Sequence, residues 1–114
     1  MLMSLTTDND EDVRDWATFG LGVLGDQDSP AIREALYNRL SDANEDVREE
    51  AMVGLGKRHD ARVLPVLMAA VSGNEIKERV AEAASLLLGM ETDPPDWGAE
   101  QYRRALKEHF SPRG

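Results

Sequence analysis

The chain has 114 residues, a net charge of −9 and no cysteine, so it has room for one domain and carries neither disulfides nor thiolate metal sites. Its 22 acidic residues outnumber the 13 Lys and Arg residues and no basic run is present, which argues against binding to polyanionic nucleic acid. No stretch approaches the roughly 20 apolar residues that span a bilayer, and the first residues do not form a signal peptide. We therefore expect a cytoplasmic protein without a membrane partner.

Hydrophobic periodicity predicts a series of amphipathic helices along the chain. They are placed at about residues 11–24, 30–41, 45–57, 61–72, 75–89 and 98–110. Asp12 and Asp46 precede apolar helices and can accept hydrogen bonds from their free N–H groups. Gly25 is expected to end the first of these helices in the left-handed conformation, and Gly73 to end a later one.

A block of sequence recurs after 34 residues. Residues 8–22 align without a gap with residues 42–56 and share Glu-Asp-Val-Arg, an Ala and Gly-Leu-Gly in register. A weaker third copy at residues 79–89 lacks the Asp-Val-Arg signature, because Arg79 and Ala81 replace its two polar members. Repetition at this period indicates stacked helix pairs. The sequence therefore predicts an all-α, α-α superhelix of about three helix pairs, as one domain over residues 1–114 with units at about 1–24, 30–57 and 61–89.

The two ends of this solenoid differ. The last helix, at about 98–110, follows the helix breaker Asp93-Pro94-Pro95-Asp96 and is expected to cap one end of the stack. At the other end, residues 1–14 align with residues 35–48, so the chain starts halfway through a repeat. Either the first helix is truncated or, as we favour, the chain is a fragment of a longer solenoid. An uncapped first unit exposes apolar surface, so self-association through the N-terminal end is expected.

The block Asp-Val-Arg-x-x-Ala-x-x-Gly-Leu-Gly resembles the second helix of HEAT repeats, and most closely the bacterial phycobilisome-lyase-type HEAT-like repeats. The resemblance covers roughly residues 1–90. It implies that the helices carrying the block, the signature helices, line the concave face of a right-handed superhelix. It also implies a ladder of pairs between neighbouring units at Asp12 and Arg14 and at Asp46 and Arg48. The family's functions range from scaffolding to chromophore attachment and base excision, so the fold decides little about activity.

No group of residues indicates an enzyme or a metal site. His59 and His109 are isolated from other ligand-type residues. The acidic residues 8–12 imitate the opening of a calcium loop, but Val13 and Phe19 occupy the positions that require Gly and Glu. We therefore expect no catalytic residue, no metal and no cofactor.

Two Gly-x-Gly pairs also lack the context of a phosphate-binding loop. Gly20 and Gly22, and likewise Gly54 and Gly56, fall inside predicted helices with no preceding strand. A glycine inside a helix costs about 1 kcal/mol relative to alanine. The sequence therefore predicts that a neighbouring helix approaches closely at these positions.

A helical wheel sorts the signature helices into a buried arc and an opposite arc. The buried arc of the first helix holds Val13, Ala17, Gly20, Leu21 and Leu24. Its opposite arc holds Asp15, Thr18, Phe19 and Gly22. Across the three copies the opposite arcs form an acidic stripe of Asp15, Glu49 and Glu82 beside an apolar stripe of Phe19, Val53 and Leu86.

These stripes are the predicted contact surface for a basic or amphipathic protein segment or peptide. The alternative interpretation is that the apolar members are ordinary packing residues beside a solvated acidic edge, to which Glu50 would also belong. Trp16 occupies the position of Glu50 and Ala83 in the later copies. It is either a packing or self-association residue at the open first unit or an interface anchor.

The favoured function is a protein–protein interaction scaffold. The alternative is a non-catalytic subunit or domain of a chromophore-lyase-like enzyme, which would require a partner subunit and a lined cavity. A solenoid that processes DNA lesions would need a basic concave surface, whereas the predicted one is acidic. A purely structural role, holding other domains apart, also stays open.

Overall fold

The computed structural model describes residues 2–73, 75–90 and 97–110. In chain order the elements are α1 (Leu2–Leu5), α2 (Glu11–Thr18, continued by a π-helical turn, Phe19–Leu24), α3 (Pro30–Arg39), α4 (Glu45–Lys57), a 3₁₀ turn (Ala61–Val63), α5 (Leu64–Ala70), α6 (Glu78–Leu87) and α7 (Ala99–Phe110). These residues contain no strand, and each predicted helix is present. The predicted breaker at 93–96 lies outside the described residues. None of the described helices is both long and apolar enough to cross a bilayer.

The helices pack as successive pairs, with α4 at the centre. The signature helix α4 contacts its pair partner α3 and both neighbouring signature helices, α2 with its π-helical turn and α6. The apolar side chains of these helices form one continuous core. Helix α7 closes one end, where it contacts α5 and α6 and buries Tyr102 and Leu106 completely. This arrangement confirms the α-α superhelix with a terminal capping helix.

The turn before each signature helix is built in the same way in the first two units. Asp10 and Asn44 are the N-caps of α2 and α4, and each side chain accepts hydrogen bonds from the N–H groups two and three residues later. Asp12 and Asp46, predicted to cap these helices, lie in their first turns. Asp12 and Asp46 do not cap these helices because they already lie inside them. An N-cap is the extended residue just outside a helix, from which a side chain such as that of Asp10 or Asn44 reaches the free N–H groups of the first turn.

The polar ladder uses a different acid from the one that the resemblance implies. Arg14 donates from Nε to Asp42 Oδ2 at 2.9 Å and from Nη2 to Asp42 Oδ1 at 3.2 Å. Asp42, in the turn before α4, therefore links the first unit to the second. Arg48, the equivalent of Arg14, donates to the carbonyls of Asp42 and Ala43 in its own turn.

Close approach explains the interior glycines, as predicted. A Cβ on Gly54 would lie 2.9 Å from Gly22 Cα, and one on Gly56 would lie 2.5 Å from the carbonyl oxygen of Ala83. Backbone therefore meets backbone between α2 and α4 and between α4 and α6.

The helix ends differ from the prediction. Gly25 is extended, with φ −77°, because its N–H already bonds to Gly20 O in the π-helical turn. Gly73 is not left-handed either. Among the described residues, positive φ occurs at His59 (55°), after α4, and at Gly89 (80°), after α6.

The two arcs predicted for α2 are also partly wrong. Leu24, placed on the buried arc, exposes 67% of its surface, whereas Thr18 on the opposite arc is fully buried. Gly22 is buried as well. A helix in the middle of a stack has neighbours on more than one side, and the π-helical turn shifts the phase of the residues that follow it. A helical wheel drawn for one helix at a constant angle per residue represents neither the several neighbouring helices nor this shift of phase.

Candidate protein-interaction surface

Most of the predicted contact residues lie together on the signature helices and remain accessible. We call this surface the signature face and define it by its partly exposed members: Asp15, Phe19, Glu49, Glu82 and Leu86. Two further candidates lie beneath it. Val53 is 2% exposed and belongs to the core, and Glu50 is 3% exposed. Neither side chain can touch a partner in this arrangement, and the apolar stripe is interrupted at its middle member.

Glu50 is a buried acid rather than part of a solvated edge. It lies against the carboxyl group of Asp15, and burial, together with this contact, raises the pKa of Glu50 to about 9. Glu50 Oε1 and Asp15 Oδ1 are both buried and receive no hydrogen bond from the described residues. The raised pKa keeps Glu50 protonated at neutral pH, and this proton gives the acid pair between α4 and α2 a donor.

Arg79 connects all three units across the signature face. Its Nη1 lies 3.5 Å from Glu50 Oε2, and its guanidinium stacks over the ring of Phe19 at 5.6 Å from the centroid. The replacement of Asp by Arg in the third copy therefore places a cation beside the buried acid pair and an aromatic ring. From the sequence alone, this substitution indicated only that the third copy lacks the Asp-Val-Arg signature.

Glu49 is partly neutralised by a lysine from the third unit. Lys77 Nζ lies 3.5 Å from Glu49 Oε2 and also pairs with Glu45. The hydrogen bond from Lys77 lowers the pKa of Glu45, and the same bond raises the pKa of Lys77. One lysine serves two acids, so this part of the surface keeps a net negative charge.

A hollow of about 360 Å³ adjoins Glu49 between α4 and the start of α6. Met52, Ala70 and Val80 are its apolar lining residues, and its charged ones are Glu45, Glu49, Glu75, Arg48 and Lys77. Sequence reasoning missed this hollow because it depends on the connection between α5 and α6. The only signal of it in the sequence is the change of repeat spacing from 34 to 33 residues before the third copy.

Trp16 lies apart from the signature face. It is 65% exposed, whereas its equivalent Glu50 is buried against Asp15 of the preceding unit. The difference places Trp16 on the outer side of the first unit, where the described residues contain no preceding helix pair. Within the described residues, no group of three or more His, Asp or Glu side chains could hold a metal ion.

Comparisons with known proteins agree on the repeat. The family model for HEAT repeats matches residues 1–89. Protein YibA of Escherichia coli K12 is 39% identical over 87 residues, which cover 76% of this chain and 31% of YibA. YibA of Escherichia coli O157:H7 matches with the same values. The chain thus spans about a third of the length of these curated relatives.

A solved structure shows the same arrangement of helices. The X-ray structure of YibA from Escherichia coli superposes with a TM-score of 0.73 at 33% sequence identity, covering 93% of this chain and 42% of that one. The family match is to HEAT repeats in general and does not distinguish the phycobilisome-lyase subset.

Proposed function

The chain belongs to the HEAT-repeat family, whose members typically mediate protein–protein interaction, and we propose that it is a non-catalytic scaffold whose signature face binds a basic or amphipathic segment of another protein. One observation carries this proposal. Glu49 and Glu82 lie on the neighbouring helices α4 and α6 and stay partly exposed, as do the apolar Phe19 and Leu86, whereas the Asp15 carboxyl group is engaged with Glu50. Carboxylates next to apolar side chains suit a segment that offers Lys or Arg beside Leu or Val.

The charge of the whole chain favours the same class of partner. A net charge of −9 attracts basic segments over long range and repels acidic ones. The hollow beside Glu49 adds an apolar recess bordered by three acids and by Arg48 and Lys77, which suits one aliphatic side chain. Arg79 is the exception on this face and disfavours a second cation directly above Phe19.

A charge-reversal pair tests the proposal without disturbing the buried acids. The variant is E49K/E82K, and the matched control is E100K/E108K, which makes the same change of net charge at two exposed positions of α7. The probe is a synthetic helical peptide of Lys and Leu at amphipathic spacing, compared with a Glu and Leu peptide of the same pattern. Binding is measured by isothermal titration calorimetry at low and moderate salt.

We expect the Lys/Leu peptide to bind the wild type and the Glu/Leu peptide not to bind. E49K/E82K should weaken binding of the Lys/Leu peptide by at least about tenfold, or ~1.4 kcal/mol, and E100K/E108K should weaken it much less. Equal weakening by both variants would mean that only net charge matters, and no binding of the Lys/Leu peptide would reject the proposal.

The proposal also covers the cellular compartment and self-association. A chain without cysteine suits a reducing compartment, so we place it in the cytoplasm. Self-association through the outer side of the first unit is proposed as a property separate from the signature face.

A further inference from the structure

The third unit differs from the first two in the residue that precedes its signature helix. Asp10 and Asn44 cap α2 and α4 with their side chains, whereas the N-cap residue of α6 is Lys77. The ammonium group of a lysine donates hydrogen bonds and accepts none, so Lys77 cannot satisfy the free N–H groups of the first turn of α6. The third unit therefore lacks the capping interaction that the first two units share.

The Lys77 side chain reaches back to the second unit instead. Its Nζ pairs with Glu45 and lies 3.5 Å from Glu49 Oε2. These two glutamates are four residues apart on α4 and hence lie on the same face of the helix. We call them the Glu45–Glu49 pair. The pair already holds one ammonium group, which the chain itself supplies.

The Glu45–Glu49 pair borders the hollow between α4 and the start of α6. Met52 and Val80, which form part of the apolar lining, are 7% and 4% exposed and belong to the core. Arg48, the other cation of the lining, donates from Nη1 to two carbonyls of its own turn. Arg48 is thus held by its own unit, whereas Lys77 bridges from the third unit to carboxylates of the second.

A bound segment can replace the contact that Lys77 makes. The side chains of Lys77 and Glu45 are each 57% exposed, so this ion pair remains in contact with water. Exposed ion pairs contribute little to stability, because water screens the charges and the long side chains lose conformational freedom. An ammonium or guanidinium group of a bound segment can therefore take the place of Lys77 at the same two carboxylates with little effect on the fold.

We propose that Lys77 competes with the basic side chains of the bound segment for the Glu45–Glu49 pair and thereby sets the specificity of this part of the signature face. The inference rests on the proposed function of that face. A Lys or Arg that docks at the pair must displace Lys77, so it gains only the difference between two similar ion pairs. An aliphatic side chain that enters the hollow buries apolar surface while Lys77 stays in place. Lys77 thus favours segments with an aliphatic side chain at this point over segments with additional positive charge.

Substitution of Lys77 by glutamine tests this role. The matched control is K107Q, which makes the same change of net charge at an exposed position of α7. Isothermal titration calorimetry measures binding of the Lys/Leu peptide at low and moderate salt, and circular dichroism checks that each variant keeps its helix content. At low salt K77Q should bind the peptide at least about threefold more tightly than K107Q, because the Glu45–Glu49 pair is then free of its internal cation. The gain should shrink at moderate salt, which screens the charges.

Two further variants show whether Lys77 acts through the Glu45–Glu49 pair. K77R keeps the positive charge and should bind the peptide as the wild type does. In the E45Q/E49Q background, K77Q should change the affinity no more than K107Q does, because no acid pair is left for Lys77 to occupy. A gain from K77Q that persists without both glutamates would overturn the proposal, since Lys77 would then act through net charge or through access to the hollow.

The binding data also separate this inference from the proposed function. Peptide binding to the wild type, with equal affinities of K77Q and K107Q, would overturn the role of Lys77 and leave the proposed function standing. No binding of the Lys/Leu peptide to the wild type would reject the proposed function, and this inference with it.

Discussion

Glu50 of α4 meets the carboxyl group of Asp15 of α2 inside the seam between the first and second units. Asp46 adds negative charge, whereas Arg79 is the cation that faces the pair. Buried acids of this kind are costly unless one of them holds a proton. Protonation of Glu50 is therefore coupled to the packing of the first two units.

The first prediction concerns pH and Glu50→Gln. The pKa of Glu50 is about 9 in the folded chain, whereas the ordinary pKa of a Glu side chain is 4.5. Between these two pH values the folded state holds a proton that the unfolded state has released. The stabilisation is complete below 4.5 and is lost as the pH rises towards 9. Relative to E50Q, which cannot titrate there, the wild type should lose up to about 1.4 kcal/mol of unfolding free energy per pH unit.

Urea denaturation of both proteins across this window measures the difference. Glu100→Gln is the control, because the Glu100 side chain is 72% exposed, and its profile should run parallel to that of the wild type. Parallel profiles for E50Q and the wild type would show that Glu50 is already ionised in the folded chain.

The second prediction concerns the contact between α4 and α6. A Cβ at residue 56 would lie 2.5 Å from the carbonyl oxygen of Ala83, a backbone atom that cannot move by itself. Overpacking of this kind costs about 1–3 kcal/mol and outweighs the gain of about 1 kcal/mol in helix propensity. Gly56→Ala should therefore lower the free energy of unfolding, as measured by urea denaturation.

Gly73→Ala is the matched control for this substitution. Apart from its chain neighbours, no atom of the described residues lies within 4 Å of a Cβ at Gly73, so this change should leave stability unaltered or raise it by up to about 1 kcal/mol. If G56A were as stable as G73A, the close approach of α4 and α6 would be refuted.

The third prediction concerns Arg58, which joins the first two units through carbonyl groups. Its guanidinium is buried, and several of its N–H groups reach carbonyls of the preceding unit. Lysine keeps the charge but offers three donors at one point instead of a planar fork. Arg58→Lys should therefore destabilise the chain by about 2 kcal/mol, since buried carbonyls lose their donors.

Thermal unfolding followed by circular dichroism measures this loss. Arg104→Lys on α7 serves as the control, because the Arg104 side chain is 73% exposed, and its unfolding should match that of the wild type. A melting temperature for R58K equal to that of R104K would argue against a structural role for the buried guanidinium.

The sequence predicted the elements of the fold because they depend on local periodicity. The signature helices α2 and α4 begin at the predicted residues, 11 and 45, and the interior glycines mark close approach, as at Gly54 and Gly22. The offset of 34 residues even reproduces individual hydrogen bonds, since Arg14 and Arg48 each donate to the two carbonyls at the same places in their own turns. Such features need only a helix and the turn before it.

Contacts between units were decided by the tertiary structure. A wheel drawn for one helix cannot show that Val53 and Glu50 are buried while Leu24 is exposed, because burial there depends on the unit stacked against each side. The pairing of Arg14 with Asp42 and the reach of Arg79 to Glu50 and Phe19 depend on the rotation and spacing of neighbouring helices. Repetition in the sequence determined which positions are equivalent, and stacking determined which of those equivalent positions meet a neighbour and which meet solvent.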